Sequence, residues 1–271
     1  MQISGRELSG DHDVVTILLY RGLIGVIFML PIALAFGGLR NVTTRRPIGH
    51  LTRNFVHFLG QFGWFYGIAH LALADVTALN STMPIFGVLL AVIFLGERLT
   101  TARLIVILFG FLGALIVVQP GVVPFETAAS ITLLSAFCYA LSIIMVKALT
   151  TTEPPLRIVF YMMVTQCGFA LVLSSWDFTI PTFAELPWIV VVGISGLTAH
   201  YCMARSVGIA DASVVMPISF ISLPVMATIG FVIYGEDLEP YTIGGGTLIL
   251  AATYLNTIWS RQPTKSGQAT S

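Results

Sequence analysis

Arg21 is the residue whose chemistry most needs explaining. It stands inside an apolar run, LLYRGLIG, seven residues into a stretch of 23 (14–36) long enough to cross a bilayer. An arginine at the centre of such a helix costs about 2.5–3.5 kcal/mol on insertion scales. No Asp or Glu lies within the apolar body of any similar stretch. Arg21 is therefore expected to bond to backbone carbonyls, water or a solute. A guanidinium facing an internal cavity suits a carboxylate or phosphate; the alternatives are snorkelling or a structural bond to a helix end.

Other candidates are polar residues and helix breakers at mid-stretch. One run reads Asn80-Ser81-Thr82-Met83-Pro84; another holds Ser213, Pro217, Ser219, Ser222 and Pro224. Proline removes a backbone donor and frees a carbonyl, which in a membrane needs a protein or water partner. Interrupted helices in corresponding places mark binding sites, although ordinary kinks give the same pattern. Gln61, Trp64, Tyr66, His200 and Tyr201 add amides and rings that would suit an organic solute by stacking or cation–π contact. Such rings also serve as core or interfacial belt. Gln166 either bonds between helices or faces the cavity. His57, His70 and His200 could relay protons. No His pair falls at i, i+4 with a carboxylate to complete a metal set, and Cys138, Cys167 and Cys202 are too scattered for a metal site or a disulfide framework. Neither metal nor cofactor is expected.

Nine apolar stretches must position these residues: 14–36, 54–73, 75–95, 101–119, 125–148, 156–175, 185–206, 211–234 and 240–258. Each approaches the roughly 20 residues that cross a bilayer as a helix. The chain is 56% hydrophobic and 10% charged, against about 25% charged in soluble domains; its mean hydropathy is +0.91. The reading is an all-α polytopic membrane protein with the lipid bilayer as solvent. Zero net charge gives no reason to expect nucleic acid. Threaded alternately, the stretches put 11 of the 13 Lys and Arg on one face, in 37–53, 96–103, 147–157, 205–210 and the tail. Only Arg6 falls on the other, and the positive-inside rule places the C-terminus in the cytoplasm. Gly63 and Gly67, and Gly244 to Gly246, make smooth helix faces for internal packing or a homodimer seam.

The chain also repeats itself. Leu8–Tyr20 aligns on Leu149–Tyr161 at an offset of 141; Ala74-Asp75 and Gly60 match Ala210-Asp211 and Gly196 at 136; Gly96-Glu97 matches Gly235-Glu236 at 139. An odd number of crossings per copy inserts the second copy upside down, a recurrent transporter design. The expected division is a first repeat over 1–121, a second over 122–260 and a polar cytoplasmic tail over 261–271. A helix equivalent to 125–148 has no counterpart before Leu8.

The run ALADVTALNSTMPIFGVLLAVIFLGERLT (72–100) with GFLGALIVVQPG (110–121), echoed by GIADASVVMPISF and YGEDLEPYTIGGGTLIL, resembles the EamA type of the drug/metabolite transporter superfamily. The resemblance implies ten helices in two inverted five-helix repeats, a central cavity and transport of small organic solutes; this chain shows nine of them. The function expected is secondary transport of a small organic metabolite, with an anionic solute suggested by Arg21 and proton coupling left open. Plasma membrane, the bacterial inner membrane, is the location the resemblance implies. A membrane-embedded enzyme and a non-transporting subunit are the alternatives. An enzyme would cluster acid/base or nucleophilic groups near an interface, and no such cluster is visible.

Overall fold

The computed structural model describes residues 1–38, 42–97, 100–118, 127–174, 179–235 and 240–260. The tail from 261, the Gly-Glu partner Glu236, Arg98 and the expected boundary at 121–122 lie outside them. Twelve helices follow in order: α1 (Gln2–Leu8), α2 (Val14–Gly37), α3 (Pro47–His70), α4 (Leu73–Asn80), α5 (Met83–Leu95), α6 (Thr101–Val118), α7 (Thr127–Leu149), α8 (Pro155–Leu173), α9 (Leu186–Ile209), α10 (Ala212–Val215), α11 (Ser222–Tyr234) and α12 (Pro240–Ser260). A 3₁₀ segment, Met216–Ile221, joins α10 to α11. There is no strand among the described residues. Six segments are long and apolar enough to cross a membrane by length and composition, with shorter apolar cores in α6 and α12. Phe36, Phe94, Val172 and Val232 are among the large side chains left facing outward, as a lipid-solvated surface requires.

Among the described residues, each expected apolar stretch falls largely on helix, but one boundary moves with consequence. The stretch expected at 54–73 begins at Pro47, whose fixed φ and missing donor suit the first helical turn. Arg53 and His50 are therefore helical and buried, not loop residues.

Small residues fix how the helices pair. Gly22 and Gly25 of α2 lie against Cys167 and Met163 of α8, so these two helices run antiparallel. By the sequence repeat they are equivalent, and their opposed directions are the inversion made visible. Gly49, Gly60, Gly63 and Gly67 of α3 meet Leu149, Cys138, Ser135 and Thr132 of α7 in the same antiparallel sense. Gly63 and Gly67 are thus spent on internal packing. Gly96 and Gly235 end α5 and α11 with φ of +65° at both, a left-handed stop that glycine adopts readily.

Two apolar clusters result. One joins Met29, Leu90, Ile144, Ile158 and Met216; the other joins Ile17, Phe65, Ile68, Val76 and Val192. Each lies towards one face. Polar ties close the same faces. Lys147 Nζ donates to the Ala210 carbonyl, 2.8 Å away, at the C-terminus of α9. Its repeat counterpart Arg6 donates to the carbonyls of Ile68 and Leu71, the latter at 2.8 Å, at the C-terminus of α3. The lone cation of the second face is thus the inverted copy of a cation of the first. Near Lys147, Glu153 accepts from Thr44 Oγ1 at 2.7 Å and Arg157 Nη1 at 2.6 Å, with His50 Nε2 at 3.9 Å. Burial alone would raise its carboxyl; the Thr44 and Arg157 hydrogen bonds and the charges of Arg157 and His50 outweigh that and hold it below the usual range.

Two tests follow from this packing. A Cβ at Gly22 would meet the backbone of Cys167 at 2.9 Å, which cannot yield as a flexible side chain would, whereas at Gly244 it meets nothing within 4 Å. Gly22→Ala is expected to cost about 1–3 kcal/mol and Gly244→Ala nothing, read as thermal unfolding in detergent. A carboxyl with a lowered folded pKa stabilises above its unfolded value and ceases to as pH falls through the folded one. Glu153 is therefore expected to stabilise at neutral pH and lose this below about pH 4. Glu153→Gln should lower stability at pH 7 by about 1–3 kcal/mol and flatten the acid limb of the melting curve.

Candidate functional site

Hydrophobic side chains fill the two clusters, yet a cavity of about 570 Å³ persists between them. Its walls come from α1, α3, α4, α7, α9, α11 and the 3₁₀ segment, so both repeats contribute. The two interrupted helices border it. In the first, α4 stops at Asn80, a turn passes through Ser81 and Thr82, and α5 restarts with Pro84 in its first turn. In the second, α10 gives way to the 3₁₀ segment, which carries Pro217, and α11 carries Pro224. Ser81 Oγ donates to the Thr77 carbonyl at 2.8 Å, and Ser219 Oγ to the Met216 carbonyl at 2.7 Å. The hydroxyls are thus partly used in repairing their own broken helices.

Of the residues singled out in the sequence, the fold brings His57, Trp64, Asn80, Ser81, His200, Ser219 and Ser222 together in the cavity wall. Trp64 and His200 are repeat counterparts and meet there. Arg21 is not in that wall. It is 1% exposed and Nη1 donates to Gln166 Oε1 at 3.0 Å, so two expected site residues meet across α2 and α8, while Arg21 Nε and Nη2 and Gln166 Nε2 are buried without a partner among the described residues. The partner is a side-chain amide, a choice beyond the carbonyl, water or solute expected. The guanidinium rests on Gly196, one turn before His200 on α9. Gln61, one turn beyond His57, is fully buried and its amide has no partner among the described residues. Tyr201 packs against the apolar cluster around Ile144, and Pro84 is buried in α5.

Ser213 has a different task. Glu97, just past the end of α5, accepts from the backbone N–H of Ala212 at 3.0 Å and of Ser213 at 3.1 Å, and from Ser213 Oγ at 2.6 Å. A carboxylate from one repeat thus caps the helix that opens the interrupted segment of the other, where the helix dipole favours negative charge. Beside it Lys147 caps the end of α9.

The wall also holds Arg53, which spacing alone left aside, beside the proton-relay candidate His57. Arg53 and His57 lie one turn apart on α3 and line the cavity, with Tyr139 of α7 opposite. His57 and His200 rings are 4.6 Å apart edge to face, and His57 and Tyr139 are 5.1 Å apart. The signal for Arg53 was its place four residues before His57 and eleven before Trp64 in a helix begun by Pro47. Among the described residues there is no group of three metal-ligating side chains.

The EamA-like transporter family profile matches residues 2–119 and again 127–258. The chain belongs to the EamA-like transporter family. Members of known name bracket it. A riboflavin transporter of Rhizobium johnstonii is 33% identical over 84% of this chain and 75% of its own length. An S-adenosylmethionine uptake transporter of Rickettsia prowazekii is 26% identical over 92% and 84%. A pseudopaline exporter of Pseudomonas aeruginosa is 29% identical over 91% and 87%. A crystal structure superposes with a TM-score of 0.76 over 97% of this chain and 96% of its own at 16% identity, which speaks to the fold alone. As an EamA-like protein the chain is a multi-pass membrane transporter of small molecules rather than an enzyme.

The Arg21–Gln166 pair gives a direct test. Removing the amide leaves the buried guanidinium without its hydrogen-bond acceptor, which costs more than removing the charge itself. Gln166→Leu is expected to lower the melting temperature further than Arg21→Met, and the double substitution to recover part of the loss.

Proposed function

We propose that this EamA-like protein is a secondary transporter that carries a small organic solute through the central cavity by alternating access. The observation that carries the reading is the cavity itself. It lies between two interrupted helices that belong to oppositely inserted halves, with polar ties closing each face. Between the halves, the tie on one face is Glu97 to α10 and on the other it is Tyr234 Oη, which donates to Glu7 at 2.8 Å; Lys147 to α9 and Arg6 to α3 each act within one half. Rocking one half against the other breaks the tie between them on one face while keeping that on the second. The named relatives support an organic solute with polar groups. They include both uptake and export proteins, so direction is not inherited from them.

In this reading the protein lies in the bacterial plasma membrane, with the Glu97 face and the C-terminus cytoplasmic by the positive-inside rule. Trp64, Asn80, Ser81, His200 and Ser219 meet the solute. Any coupling proton is carried by His57 and His200, while Arg21 and Gln166 hold α2 and α8 together behind the wall.

Two measurements test this. Proteoliposomes holding the purified protein are expected to exchange labelled riboflavin or S-adenosylmethionine in counterflow and return it chemically unchanged; conversion without crossing would replace transport by enzymology. Glu97 makes three hydrogen bonds to α10, each charge-assisted and worth about 1.5–3 kcal/mol. Glu97→Ala is therefore expected to open that face. In a background without the three native cysteines, Asn80→Cys should react at least about tenfold faster with an impermeant maleimide added from the cytoplasmic side, with Glu97→Gln intermediate. An unchanged rate removes Glu97 as the tie.

A further inference from the structure

The cavity wall is chemically lopsided. Among its described residues are one arginine, two histidines and no carboxylate. Arg53 is 4% exposed; its Nη1 donates to Asn54 Oδ1 at 2.8 Å and its Nε has no partner. His57 Nδ1 and Ser142 Oγ are 3.1 Å apart. With the serine donating, the ring carries its proton on Nε2, which is buried and without a partner, as is Nε2 of His200. Arg21 lies within electrostatic reach of His57, His200 and Arg53, so a second guanidinium adds to the field behind the wall. A cation held at this depth is costly unless an anion or a dipole compensates it. Here the described protein offers Arg53 one neutral amide oxygen.

The rest of the wall has the opposite character. Trp64, Met203, Met226 and Ile229 present rings, thioethers and branched carbons. Such a surface suits a flat or bulky apolar body. We infer that the cavity selects an organic acid: a solute whose carboxylate or phosphate is held by Arg53, His57 and His200, and whose ring system lies against Trp64 and the two methionines. This rests on the transport reading above and gives it a substrate class. Arg53 is the charge partner, and the His57 and His200 rings lie beside it in the wall.

The test uses full-length protein in phosphatidylcholine nanodiscs and two matched pairs of probes: indole-3-acetate against indole-3-acetamide, and flavin mononucleotide against riboflavin. The expected result is that at least one acid raises the melting temperature and binds at least tenfold more tightly than its neutral mate. The preference should be abolished in Arg53→Gln and retained in Arg53→Lys; His200→Gln should reduce it. If Arg53→Gln does not fold, the Lys variant and His200→Gln still report the acid preference. Equal or better binding of the neutral mates overturns the inference, and so does binding of no probe. Stabilisation by phosphatidylglycerol nanodiscs with no response to either acid also overturns it, since the charge would then serve a lipid headgroup. The two readings fail separately. Counterflow without acid preference removes the substrate class and leaves transport. Acid-selective binding without counterflow leaves the site and removes transport.

Discussion

Hydrocarbon offers no hydrogen bonds, so every polar group between the two faces must find its partner inside the protein. Most of this molecule can be understood as the enforcement of that rule. Thr77, Ser81, Thr132 and Thr165 bond back to carbonyls one turn earlier on their own helices. The loose ends of α3 and α9 are closed by Arg6 and Lys147, and the start of α10 by Glu97. Arg21, the most expensive residue in the chain, is met by Gln166. The rule is left partly unfulfilled at Arg53, His57 and His200, which line the cavity, and also at Arg21, Gln61 and Gln166, which lie outside its wall.

Close approach of helices is the second constraint, and it explains where the cavity sits. Glycine at 22 and 25 lets α2 press on α8, and glycine at 60, 63 and 67 lets α3 press on α7. Membrane helices gain little from apolar burial alone, because lipid is equally apolar; contact between backbones supplies the packing. The pairs that bring the halves together are therefore tight. The interrupted helices, with prolines at 84, 217 and 224, cannot pack as evenly and leave space beside them.

The fold was largely legible in the sequence because its signals are periodic and local. Apolar runs of bilayer-spanning length mark the helices, and matched segments at offsets of 136 to 141 residues reveal the duplication. The site was less legible because it depends on pairings between halves. Nothing near Ser213 says that Glu97, over a hundred residues earlier, will cap it. Nothing near Arg21 says that Gln166 will face it, although both were visible as polar intruders. Arg53 was hidden by a boundary: counted as the end of a basic loop, it is the seventh residue of a helix that Pro47 begins. Hydropathy windows place a membrane helix where it becomes apolar, and the polar first turns that reach into the protein fall outside them.

The duplication preserves shape more than chemistry. At the 136-residue offset that pairs Trp64 with His200, the counterparts of Arg53 and His57 are Ile189 and Gly193. One half thus places Arg53 and His57 in the cavity wall, while their counterparts in the other lie outside it, Ile189 in an apolar cluster and Gly193 against Ile24. In the alternating access proposed above, exchanging the roles of the halves would swap which end of the cavity is exposed to water, and the hydration of Arg53 would change with it. The two orientations of an empty carrier built this way would be unequal in free energy, and its idle resting side would be set by a handful of substitutions laid over a mirrored scaffold.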